Sequence, residues 1–156
     1  MIKINDRHID LVTSGEGPDI LFVPGSFSTP AAWQSIQKHL PQRYRFLGTS
    51  LCGYGETTET RTLYDNSINH EIEILSQITA SIQKPVHLVG HSFGGLVCFA
   101  AILMGKLKVK SLTTFEANPI TLLEEKTYSD SEKHVKSVRT SSDNTFWEKR
   151  MPSKQL

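Results

Sequence analysis

One serine in this chain stands where a serine can act as a nucleophile. Residues 86–95 are a short apolar run that ends in Gly90-His91-Ser92-Phe93-Gly94, a G-x-S-x-G cluster. Val86, Leu88 and Val89 suit a buried strand, and Phe93 to Gly105 read as a buried helix. Ser92 therefore falls on the sharp turn between them. Such a turn holds the residue in strained backbone geometry and lifts its hydroxyl above the sheet. Gly90 and Gly94 lack the Cβ atoms that would collide across so tight a bend. The backbone N–H of Phe93, at the mouth of the helix, has no partner inside it and is placed to stabilise an oxyanion. The chemistry implied is attack on a carbonyl carbon and acyl transfer through Ser92.

Two other readings of this cluster are weaker. A strand–turn–helix crossover needs small residues for packing alone. A dinucleotide fingerprint, G-x-G-x-x-G, needs glycine where Ser92 stands and an acidic residue about 20 positions on. Here Glu116 stands 24 positions after Ser92. No G-x-x-x-x-G-K-[ST] phosphate loop occurs, and the histidine and carboxylate spacings suggest no metal site.

The cluster resembles the nucleophile elbow of the α/β-hydrolase superfamily, and the resemblance implies further roles. Pro24-Gly25-Ser26-Phe27 occupies the loop where the superfamily commonly has His-Gly followed by an oxyanion donor. Gly25 matches, Pro24 replaces the histidine, and the donor carried over is the N–H of Ser26, with Phe27 its neighbour. Gly53-Tyr54-Gly55-Glu56-Thr57 resembles the superfamily's G-x-G-x-S/T loop, without the aspartate often found just before it. Glu116, directly after the last expected strand, matches a place where some members carry the triad acid. In the superfamily the catalytic histidine follows the acid. The only histidine after Glu116 is His134, in a polar segment that reads as a surface helix. His91 is a common occupant of its motif position, where it is expected to pack beneath the turn. The resemblance implies no organic cofactor, and a small-molecule ester or similar compound as substrate.

The elements that must position these residues alternate along the chain. Strands are expected over His8–Thr13, Asp19–Val23, Tyr44–Leu47, Val86–Val89 and Val109–Phe115. A helix opens at Thr29-Pro30, with Trp33, Ile36 and Leu40 on one face and Pro41 as its stop. A second carries Ile68, Ile72, Leu75, Ile78 and Ile82 at helical spacing, with Asn66 or Ser67 as cap. This alternation argues an α/β fold, a mostly parallel sheet with flanking helices. Residues 1–119 are expected to form the N-terminal part of an incomplete α/β-hydrolase core. Residues 120–156 are polar, with sparse apolar anchors, and resemble the start of a lid or cap, helical or partly disordered. Single-domain α/β folds commonly run to about 200–250 residues, so the chain of 156 reads as truncated before the catalytic histidine. Val109–Phe115 would then be an exposed sheet edge, open to self-association.

Composition bounds the partners. A net charge of +1 gives no footprint for nucleic acid or an acidic membrane. No apolar stretch approaches the roughly 20 residues of a membrane span, and the charged N-terminus has no signal core. A cytoplasmic location is the expectation. Cys52 and Cys98 lack metal or redox spacing. The sequence thus predicts an esterase-like serine hydrolase, with a non-catalytic binding module as the alternative.

Overall fold

A computed structural model describes residues 2–4 and 7–117. Strand β1 (Ile2–Ile4) pairs antiparallel with β2 (Arg7–Ile9). A five-stranded sheet follows, built from β3 (Leu11–Ser14), β4 (Asp19–Val23), β5 (Arg45–Thr49), β6 (Val86–His91) and β7 (Val109–Phe115). Its order is β3-β5-β4-β6-β7. β3 runs antiparallel to β5, and the other four strands are parallel. β6 lies between β4 and β7, as its apolar run requires. The expected segments 120–156 and His134 lie outside the described residues.

Side-chain alternation sorts the two faces of the sheet. Leu21, Val23, Val86, Leu88 and Leu112 pack with Ile72, Leu75 and Ile78 of α2 (Asn69–Ile82) and Val97, Cys98 and Ala101 of α3 (Phe93–Leu103). Phe22 and Phe46 turn to the other face. There they pack with Trp33, the Phe22 and Phe46 rings stacking at 4.9 Å. Within β6 the same alternation sends His87, Val89 and His91 to the Trp33 side.

Three local expectations are corrected. The strand expected over His8–Thr13 is split at Asp10, because side chains take its backbone groups: its N–H donates to Thr57 Oγ1 and its C=O accepts from Thr49 Oγ1. The helix opened by Thr29-Pro30 is short, a 3-10 turn over Pro30–Trp33 and one α-turn, α1 (Gln34–Gln37). Beyond it the bonds shift to His39 N–H to Ile36 C=O and Leu40 N–H to Gln37 C=O, which leaves Ile36 exposed. Neither Asn66 nor Ser67 caps α2. Ile68 stands at its N-cap, and the Asp65 carboxylate holds the Ser67 N–H instead.

The topology fixes where a site can form. From β4 the chain crosses to β5 on one side; from β6 it crosses through α3 to β7 on the other. The loops leaving β4 and β6 therefore diverge and open a crevice at their carboxyl ends, the usual ligand position in open α/β sheets. Val23 is paired with Gly90 in register, so residues 24–26 and 91–92 meet at that point.

A carboxyl group of α2 lies deep in the core. Glu71 of α2 is 1% exposed and accepts the Cys52 N–H at 2.8 Å, with Arg61 3.5 Å away. Burial pushes its carboxyl above the ordinary value, outweighing the Cys52 N–H and Arg61. Ionisation of Glu71 thus opposes folding. The stability its proton confers is complete below the unfolded-state value and lost as pH rises through the raised folded value. Glu71→Gln mimics the protonated form and keeps an acceptor for Cys52. The variant is expected to match or exceed the parent in urea denaturation at pH 8, with the difference closing near pH 4.

Candidate active site

The backbone of Ser92 has φ 50° and ψ −124°, a region that non-glycine residues rarely enter. The strand before it and the helix after it impose this geometry. Ser92 N–H donates to Phe115 C=O at 2.9 Å, while its own C=O accepts from Gly95 and Leu96 in the first turn of α3. The residue is thus tied to β7 on one side and to the helix on the other. A Cβ on Gly94 would lie 2.1 Å from Pro24 O and 2.6 Å from Val23 O, so α3 sits directly on the end of β4. A Cβ on Gly90 would meet the Gly95 Cα at 2.6 Å. The two glycines of the motif are required by this packing.

Gly25 brings the other wall of the crevice. A Cβ there would lie 3.1 Å from Ser92 Cβ and 3.2 Å from His91 Nδ1. Ser26 follows it into solvent, and Phe27 (φ 60°) packs edge-on against Tyr54 at 5.7 Å. Among the described residues no hydrogen bond occupies the N–H of Ser26 or of Phe93. Beside the elbow lies an apolar recess of about 290 Å³, lined by Pro24, Ala32, Trp33, Ile36, His91 and Phe115. Another hollow, of about 900 Å³, runs past Gln37, Lys38 and Tyr44 and includes no elbow residue. Its lining is mixed and open, and it offers no convergent chemistry.

Sequence reasoning places His91 beneath the turn; the structure places it elsewhere. As the last odd-numbered residue of β6 it lies on the Trp33 face, its ring edge-on to Trp33 at 6.4 Å. Its side chain is 44% exposed, and Nε2 lies 3.2 Å from Glu116 Oε2. Glu116 (φ 54°) leaves the end of β7 and brings its carboxylate to that ring. No histidine hydrogen-bonds the Ser92 hydroxyl among the described residues. His87, four residues before His91, has a spacing that on a helix would bring two imidazoles to one metal. On a strand it leaves them about 13 Å apart, and His87 Nδ1 bonds Ser111 Oγ at 2.8 Å.

The loop after β5 is held by charge. Arg61 forks onto Glu59, bonds Cys52 C=O at 2.8 Å and approaches Glu71. Arg61 holds the Glu59 carboxyl down to about 2. On the far side of this loop the Asp10 carboxylate accepts from Ser50 Oγ at 2.7 Å. Asp10 stands 40 residues from Ser50. The sequence signal for it is faint, a lone aspartate where strand alternation breaks. Complete burial pushes the Cys98 thiol up to about 12.

A strained serine between a strand and a helix, with its neighbour loop closed on it, is the elbow that the motif implied. The family model for the alpha/beta hydrolase fold matches residues 18–139. The chain belongs to this family. Among hydrolases of the same fold it is 32% identical, over 69% of its length, to the pimeloyl-(acyl-carrier protein) methyl ester esterase of Aliivibrio fischeri. It covers 39% of that protein, so it spans about two fifths of the length of the curated relatives it matches. Among solved structures, potato (Solanum tuberosum) epoxide hydrolase I is similar with TM-score 0.65 and 31% identity, over 73% of this chain and 38% of that one. An epoxide hydrolase of Vigna radiata gives TM-score 0.65 and 25% identity, over 72% of this chain and 38% of that one. Among the described residues no helix is long and apolar enough to cross a membrane.

The packing at Gly94 makes a direct prediction. Gly94→Ala forces a methyl into the Pro24 carbonyl and must lift α3 off β4, at a cost of about 3 kcal/mol. Gly25→Ala, with tight contacts but ordinary backbone, is expected to cost less than about 1 kcal/mol. Paired urea titrations of the two variants check the order.

Proposed function

We propose that this chain carries the nucleophile of a serine hydrolase that cleaves an ester of a small molecule. The observation that supports the reading most is Ser92 at φ 50° in the β4/β6 crevice, with Gly25 against its Cβ. In this reading Ser92 Oγ attacks the carbonyl carbon. The N–H groups of Phe93 and Ser26 stabilise the oxyanion, and the apolar recess takes the hydrocarbon part of the substrate. The bond to the alcohol breaks, the Ser92 proton leaves with the alcohol, and water then clears the acyl-enzyme. Glu116 is the orienting carboxylate; the ring it orients among the described residues is His91. A cytoplasmic setting goes with this reading.

Chemistry separates the two activities named among the similar proteins. A serine oxygen that opens an epoxide forms an ether, which has no carbonyl for water to attack, so turnover stops. A serine oxygen that takes an acyl group forms an ester, which water can hydrolyse. Ser92 therefore favours the ester reading, in line with the methyl ester esterases.

The second reading, a non-catalytic module that binds a partner or a second copy along β7, is favoured by the absence of a histidine on the Ser92 hydroxyl among the described residues. A fluorophosphonate probe distinguishes them. The serine-hydrolase reading expects one covalent adduct by intact mass, mapped to Ser92 and lost in Ser92→Ala. A folded chain that takes no adduct after prolonged exposure overturns it.

A further inference from the structure

His91 has no part in the acyl-transfer steps, yet its ring contacts Glu116 and Trp33 and lies beside the space next to Gly25. Nε2 faces Glu116 Oε2 at 3.2 Å, the ring edge meets Trp33, and Nδ1 lies 3.2 Å from where a Gly25 Cβ would sit. We propose that His91 is a positioning residue, held by the Glu116 carboxylate, that keeps the Gly25 loop seated against Ser92. The inference rests on the reading of Ser92 as nucleophile.

Three features support it. First, Ser92 and Glu116 both hold positive φ, 50° and 54°, at the ends of adjacent strands. Strained residues persist only where their surroundings over-determine them. Two links join these strand ends, the Ser92 N–H to Phe115 C=O bond and the His91–Glu116 contact. Second, an imidazole alone meets all three demands at this position. A phenyl ring keeps the contact with Trp33 and loses the carboxylate; an amide keeps a donor for the carboxylate and loses the ring. Third, the pair is exposed, His91 by 44% and Glu116 by 84%. Exposed polar contacts of this kind contribute little to global stability. The consequence of the contact is therefore geometric, and small displacements of a reacting group change rates steeply.

The test uses the whole chain with His91→Phe, His91→Gln, Glu116→Gln and the double variant His91→Phe/Glu116→Gln. The rate of Ser92 phosphonylation is read together with Tm and with hydrogen exchange at the Ser92 amide. His91→Phe and Glu116→Gln should each slow phosphonylation about tenfold or more and speed Ser92 amide exchange, with Tm almost unchanged. His91→Gln should restore part of both, and the double variant should be no slower than His91→Phe. Unchanged exchange and rate in both single variants overturns the proposal. So does an additive loss in the double variant, because Glu116 would then act independently of His91. If the parent takes no phosphonate, the nucleophile reading fails, and amide exchange alone still decides whether the pair holds the elbow.

Discussion

The contact between the first turn of α3 and the carboxyl end of β4 is the constraint on which the site depends. At Gly94 the helix backbone lies so near the Val23 and Pro24 carbonyls that no side chain fits between them. That approach sets the angle at which the chain turns from β6 into α3, and the angle puts Ser92 into its strained conformation. It also brings the Pro24–Ser26 loop to the same place, since β4 and β6 are neighbours in register. A looser seat would let Ser92 relax toward helical angles and retreat from the crevice. Strain at Ser92, of order 1–3 kcal/mol, is thus offset by burial of the apolar α3 face that carries Val97, Cys98 and Ala101.

A second layer of the structure holds the loops around that seat by polar contacts. The chain between β5 and α2 has little regular structure, and its first half is fixed from two sides. Glu71 reaches up from α2 to the Cys52 N–H, and Arg61 closes over Glu59 and the Cys52 carbonyl. From the other side Asp10 and Thr57 join the β2–β3 junction to the same loop. Tyr54 rides on this loop and meets Phe27, the residue after Ser26. The buried cost of Glu71 is therefore spent near the site, at one remove from it.

The parts legible from sequence were those set by local pattern and steric need. The parallel strands and the two long helices follow from apolar periodicity. The elbow follows from two glycines around a serine, because the reason for them is packing along a few consecutive residues. Contacts between distant segments left no such trace. The only local mark of Asp10 is a break in strand alternation, which does not announce that it will serve a loop 40 residues away. The position of His91 was misjudged for a related reason. Its motif suggested a buried residue, whereas strand alternation, counted through to residue 91, puts it on the Trp33 face. The short α1 shows the limit of spacing arguments: Trp33, Ile36 and Leu40 have helical intervals, yet 3-10 bonds at both ends of α1 leave Ile36 in solvent.

The position of Glu116 links these layers. A carboxylate at the end of the strand beside the elbow is well placed to orient an imidazole, and the chain meets that need from within its own motif. With Nε2 on the carboxylate, His91 has Nδ1 beside the space next to Gly25, and its ring lies among the end of β7, Trp33 and the Pro24–Ser26 loop. Pro24 supports this arrangement. It lines the recess beside His91 and offers no second imidazole at the place where the superfamily commonly has a histidine. One ring thus lies between the carboxylate and the loop, and Trp33 sets its tilt. Of the three side chains around this ring, Trp33 is also a core residue packed on Phe22 and Phe46, so a change there reaches the stability of the sheet, whereas His91 and Glu116 are exposed and a change at either should act on Ser92 through geometry first.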